Sequence, residues 1–109
     1  MLKRVKKMLY RSLESKEVTY KKLQDILRKD ENAILLDVRS KQEFKEGHLE
    51  NAINIPLYDL EQHLECLPDK NCTIVVYCAS GHRSKQAKEK LESLMYQNIY
   101  QLKDGLDGM

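Results

Sequence analysis

Cys78 is the residue of this chain best placed for bond making. It follows the β-branched run Thr73-Ile74-Val75-Val76-Tyr77 and precedes Ala79-Ser80-Gly81-His82-Arg83-Ser84, a small and polar loop that leads into a helical pattern. The first N–H groups of a helix have no intrahelical partners, and together with the helix dipole they favour an anion at a strand-to-helix turn. A thiolate, or an anionic substrate beside it, answers that demand, and a cysteine so placed is more acidic and more nucleophilic than a free one. Ala79, Ser80 and Gly81 keep bulk away from the sulfur, Gly81 permits a left-handed turn, and His82 and Arg83 add donor or positive groups. The competing reading is a small buried hydrophobe, the common fate of a free cysteine, which needs none of these neighbours.

The elements that must hold this loop can be read outward from it. Glu17-Val18-Thr19 reads as a short strand, with Thr19 able to cap a helix carrying Leu23, Ile26 and Leu27, and Ala33 to Asp37 reads as a buried strand. Ser40 and Glu43 have the spacing of a capping box, and Gly47 suits the end of the short helix that follows. Ala52-Ile53-Asn54-Ile55 is a further strand stopped by Pro56, and Leu57, Leu60, Leu64 and Leu67 recur at helical intervals up to Pro68. Ala87, Leu91, Leu94 and Met95 mark a core-facing helix behind the cysteine loop, and Asn98 to Leu102 supplies the last strand. Strands alternating with helices predict an α/β domain with a mainly parallel five-stranded sheet flanked by helices on both faces. Ligands bind such sheets beyond the carboxyl ends of the strands, where Cys78 and Asp37 both sit.

Composition narrows the classes. A chain of 109 residues is one domain of ordinary size, and no apolar run approaches the roughly 20 residues that cross a bilayer. With 19 basic against 17 acidic residues, the charge is too balanced for a dedicated nucleic-acid binder. Residues 1–16 pair Leu2, Val5, Met8, Leu9 and Leu13 with a basic opposite face, an extension expected to dock on the domain or a second subunit rather than on a membrane surface. It lacks the features of a signal peptide. Cys66, Cys72 and Cys78 cannot all pair within one chain and have no zinc spacing, so a reducing cytosol is the expected setting and Cys66 and Cys72 read as structural. Three isolated histidines make no metal site, and no cofactor is expected.

The elements Leu36-Asp37-Val38-Arg39, Glu43-Phe44, Gly47-His48-Leu49, Ala52-Ile53-Asn54-Ile55-Pro56 and Cys78 through Ser84 together resemble a single-domain rhodanese, a sulfurtransferase, from about residue 17 to the last residue. The resemblance implies that Cys78 accepts a sulfane sulfur as a persulfide and passes it to cyanide or another thiol. It also implies a small anionic donor such as thiosulfate, held by Ala79, Ser80, Gly81, His82, Arg83 and Ser84. A protein-to-protein sulfur carrier or interaction module needs the same loop and is the alternative. Related phosphatases and arsenate reductases resemble Cys-x5-Arg, whereas four residues separate Cys78 from Arg83, a tighter cradle that suits sulfur better than phosphate.

The neighbouring residues allow plainer roles. Arg83 can contact an anionic donor or pair with a carboxylate such as Glu43. Ser84 reads as a helix cap, Asp37 and Arg39 as a structural pair near the pocket, and His48 as a turn anchor, while His82 reads as a rim residue and His63 as solvent-facing. The closing segment departs from the family pattern: Asp104 stands in place of the first of two paired glycines, and Met109 stands where tryptophan is common.

Overall fold

The computed structural model describes residues 16–109. The basic amphipathic extension expected over residues 1–16 therefore lies almost wholly outside the described residues. Strand β1 (Glu17–Val18) leads to helix α1 (Tyr20–Lys29), strand β2 (Ile34–Asp37), helix α2 (Lys41–Glu46) and strand β3 (Ile53–Asn54). A 3-10 helix (Leu57–Cys66), strand β4 (Thr73–Tyr77), helix α3 (His82–Ser93), strand β5 (Asn98–Leu102) and a closing 3-10 turn (Leu106–Gly108) follow. The five strands form one sheet in the order β1-β5-β4-β2-β3, and every pairing is parallel.

Local chemistry accounts for the element boundaries. The Thr19 hydroxyl accepts from the Lys22 N–H at 3.2 Å and starts α1, while Ser40 and Glu43 close a reciprocal capping box at the head of α2. The run Leu57 to Leu67, spaced for an α-helix, is instead a 3-10 segment kinked at His63 (φ −129°), so Leu60 and Leu67 reach the core while His63 and Cys66 face outward.

Alternation along the strands divides the core into two layers. Leu36, Val38, Ile74, Val76, Cys78 and Ile99 face one side, under Leu60 and Leu67 of the 3-10 segment and Ala87 and Leu91 of α3. Leu35, Val75, Tyr77 and Leu102 face the other, under Leu23 of α1. Helical cover on both faces leaves the carboxyl ends of the strands as the place where backbone N–H groups remain for a ligand. Among the described residues no helix is long and apolar enough to cross a membrane.

Candidate active site

Strand β4 buries the backbone up to Tyr77 and delivers Cys78, 1% exposed, onto the same face as α3. The chain then reverses within three residues. Gly81 holds the N-cap position of α3 at φ 105°, which no L side chain adopts without strain, and Ser84 is the third residue of that helix rather than its cap. That position has a chemical meaning, because a serine inside the first turn points its hydroxyl back over the loop.

The sulfur lies within a ring of donors. The Gly81 and Ser84 N–H groups donate to Cys78 Sγ at 3.1 and 3.3 Å, and the Ser84 hydroxyl lies 3.5 Å from it. Burial alone pushes the thiol up, but hydrogen bonds from the Ser84 hydroxyl and from the Ser84, Gly81 and Ser80 N–H groups outweigh it and hold the Cys78 thiol below its ordinary value.

The closing turn anchors the first two peptides of the loop. The Leu106 N–H donates to the Cys78 carbonyl at 3.0 Å and the Asp107 N–H to the Ala79 carbonyl at 2.8 Å. Across a trans peptide the carbonyl and the following N–H point in opposite directions, so anchoring these two carbonyls on the turn directs the N–H groups of Ala79 and Ser80 away from it, toward the loop. Gly105 makes the contact close: a Cβ there would sit 2.5 Å from both carbonyl oxygens.

Arg83 turns its guanidinium onto Glu43, Nη1 to Oε1 at 2.7 Å and Nη2 to Oε2 at 3.0 Å, a two-pronged fork between α3 and α2. The Glu43 carboxyl, hydrogen-bonded by Arg83 and also by Ser40, is held down to about 2. Of the two roles open to Arg83, pairing with Glu43 is the one occupied here.

Residues 19–109 match the model of the rhodanese-like domain. This chain belongs to the rhodanese-like family. It is 40% identical over 65 residues to the Escherichia coli (strain K12) thiosulfate sulfurtransferase PspE, covering 59% of this chain and 62% of PspE. It is 32% identical over 95 residues to a tRNA uridine(34) hydroxylase of Buchnera aphidicola subsp. Baizongia pistaciae (strain Bp), covering 81% of this chain and 30% of that protein. The chain thus spans less than two thirds of the length of these curated relatives. Among solved structures it resembles the human single-domain sulfurtransferase TSTD1, with a TM-score of 0.73, 28% identity, and coverage of 82% of this chain and 89% of that one.

In this rhodanese-like domain Asp37 and Arg39 stand apart from the sulfur. They lie with Tyr77 on the opposite face of the sheet, Arg39 donating to Asp37 through Nε and Nη2 and to the Gly47 carbonyl at 2.7 Å. The Tyr77 hydroxyl accepts from the Leu49 N–H at 3.1 Å, and Asn54 donates to the Asp37 and Arg39 carbonyls. This buried pair braces the connection from β2 to β3. His48 anchors the end of α2, its Nδ1 2.8 Å from the Phe44 carbonyl and its ring stacked on Phe44.

His82 is exposed on the rim, beside an open groove of about 510 Å³ that Ser80, Gly81, Lys85, Gln101 and Asp104 also line. Gln101 and Gly105 are the site residues that motif spacing does not reveal. The available signal for Gln101 was a polar residue in register with Ile99 on an otherwise apolar sheet face. Among the described residues no group of three His, Cys, Asp or Glu side chains is placed to hold a metal ion.

Proposed function

We propose that the protein is a sulfurtransferase that carries a sulfane sulfur on Cys78. The observation that carries this reading is the cradle of N–H donors around a thiol held below its ordinary value, in a chain of the rhodanese-like family. With thiosulfate as donor, the Cys78 thiolate attacks the outer sulfur, the S–S bond of thiosulfate breaks, and sulfite leaves with the bonding pair. The product is a Cys78 persulfide anion, stabilised by the same N–H groups. Cyanide or a thiolate then attacks the outer sulfur, releasing thiocyanate or a new persulfide and returning the Cys78 thiolate. Once the Cys78 thiolate has formed no general base is required, because no proton moves in either step.

Ala79 to Ser84 supply the cradle through their backbone, Arg83 contributes positive charge from its place on Glu43, and Asp37, Arg39, Glu43 and His48 brace the surrounding loops. The four-residue spacing between Cys78 and Arg83 supports sulfur over phosphate chemistry. Residues 17–109 form the sulfur-transfer domain in this reading, residues 1–16 its extension, and three unpaired cysteines suit a reducing cytosol. The groove beside the loop favours a second reading: its volume exceeds what cyanide or thiosulfate fills, so a protein donor or acceptor fits the same site.

Mass spectrometry after incubation with thiosulfate should find one added sulfur on Cys78, with thiocyanate formed when cyanide follows. Turnover that survives Cys78→Ala overturns the assignment of the nucleophile. A persulfide formed from a protein donor, with no turnover of thiosulfate, selects the carrier over the enzyme.

A further inference from the structure

We propose that Gln101 is a positioning residue for the nucleophile: its side-chain amide occupies the Gly81 carbonyl and the Ser84 hydroxyl oxygen, and so turns the Ser84 hydroxyl proton onto Cys78 Sγ. Gln101 is 8% exposed at the end of β5, and its Nε2 lies 2.7 Å from the Gly81 carbonyl and 3.0 Å from Ser84 Oγ. A carbonyl only accepts, so the amide nitrogen, not its oxygen, must face Gly81.

The Gly81 carbonyl has three donors within reach. They are the Lys85 N–H at 3.1 Å, Gln101 Nε2 at 2.7 Å and Ser84 Oγ at 3.2 Å. It has two lone pairs, and the helical N–H and the Gln101 amide fill them. The fully buried Ser84 hydroxyl then has one acceptor left in reach, the sulfur at 3.5 Å. Because Ser84 Oγ also accepts from Gln101, its proton is polarised toward Sγ, and less of its lone-pair capacity is left for a neutral S–H. Both effects favour the thiolate.

Charged and titratable groups near the loop are His82, Arg83 and Lys85 on α3, Glu43 on α2, Asp37 at the end of β2 with Arg39 after it, and Asp104 and Asp107 at the closing turn. Replacing the neutral Gln101 changes none of these charges, so a titration shift reports the hydrogen bonds. The catalytic consequence rests on the proposed role of Cys78, but the test does not: alkylation needs no sulfur donor and stands whether or not sulfur transfer is found.

The experiment is the pH dependence of Cys78 alkylation by iodoacetamide, followed on the Cys78 peptide by mass spectrometry, in the full chain and in Gln101→Met, Ser84→Ala and the double variant. Gln101→Met should raise the Cys78 pKa by about one unit, slowing alkylation roughly tenfold at pH values below both. In the Ser84→Ala background the same change should have little further effect, since the hydroxyl it orients is gone. Gln101→Asn keeps an amide but shortens its reach, and carries the test with the same expected shift if Gln101→Met does not fold. An unshifted titration in the folded variant, or a full shift that persists without the Ser84 hydroxyl, overturns the proposal.

Discussion

Adding one methyl group at Gly105 should damage the site from outside it. Gly105 has φ 62° and ψ −157°, a region that glycine nearly monopolises, and the new Cβ would meet the Cys78 and Ala79 carbonyl oxygens at 2.5 Å. Neither oxygen can yield cheaply, because both are backbone and both already accept from the closing turn at 3.0 and 2.8 Å. The turn must therefore move off the loop. The backbone region alone costs about 1–3 kcal/mol in an L residue. Loss of two backbone hydrogen bonds adds about 1 kcal/mol each. A total of about 3–5 kcal/mol corresponds to a fall in Tm of at least roughly 12 °C for a domain of this size. Thermal melting by circular dichroism measures that fall, and alkylation of Cys78 measures its effect on the site. The thiol pKa should rise, since the Ser80 N–H group, one of those that hold it down, loses the constraint that aims it. Gly47→Ala is the comparison: its backbone is also strained, at φ 154°, but its Cβ meets nothing within 4 Å, so it should lower Tm while leaving the Cys78 titration in place. A Gly105→Ala protein that melts within about 2 °C of the parent and titrates like it would refute the reasoning.

Other expectations follow from the same contacts. Glu43→Gln should cost about 1–2 kcal/mol at pH 7, a figure reduced for the partial exposure of the pair. The Glu43 carboxyl lies below its unfolded value of 4.5, at about 2, so this stabilisation is full above pH 4.5 and fades as pH falls toward 2; urea titrations giving a pH-independent difference would count against it. Arg39→Met leaves the fully buried Asp37 carboxylate without its guanidinium partner, keeping only the backbone N–H of residue 39, and should cost about 3–5 kcal/mol in chemical denaturation; a loss under 1 kcal/mol would show the pair to be dispensable. Asp104 holds φ 60°, so Asp104→Gly should raise stability by about 1 kcal/mol, and a lower Tm would show that the aspartate side chain more than offsets its strain.

Much of the scaffold was legible because its causes are local. Ile74 to Tyr77 is an unbroken apolar run of strand length, Thr19 and Ser40 are cap types at cap positions, and Cys78 sits between strand and helix signals in the sequence itself. From Leu57 to Cys66 the sequence marks a helix but not its kind, because leucines three and four residues apart fit a 3-10 path with a kink as well as an α-helix. Ser84 looked like a cap since serine near a helix start usually is one, yet the left-handed Gly81 begins the helix earlier and rotates Ser84 onto the sulfur. Arg83 could be assigned to either an anion or a carboxylate until α2 and α3 were brought together, and the roles of Gln101 and Gly105 depend wholly on contacts across 17 or more residues of chain. Long-range contacts of this kind leave little mark on local periodicity.

The cradle around Cys78 is built largely of peptide N–H groups, and that decides how it can be altered. Replacing the side chains of Ala79, Ser80 or His82 leaves every one of those donors in the chain, so an alanine scan of the loop would pass over most of the site. Ester linkages substituted one at a time for the amides at Ser80, Gly81 and Ser84 would delete the donors themselves. The information that shapes this anion site is held in the course of the main chain, and the side chains that preserve that course need never touch sulfur.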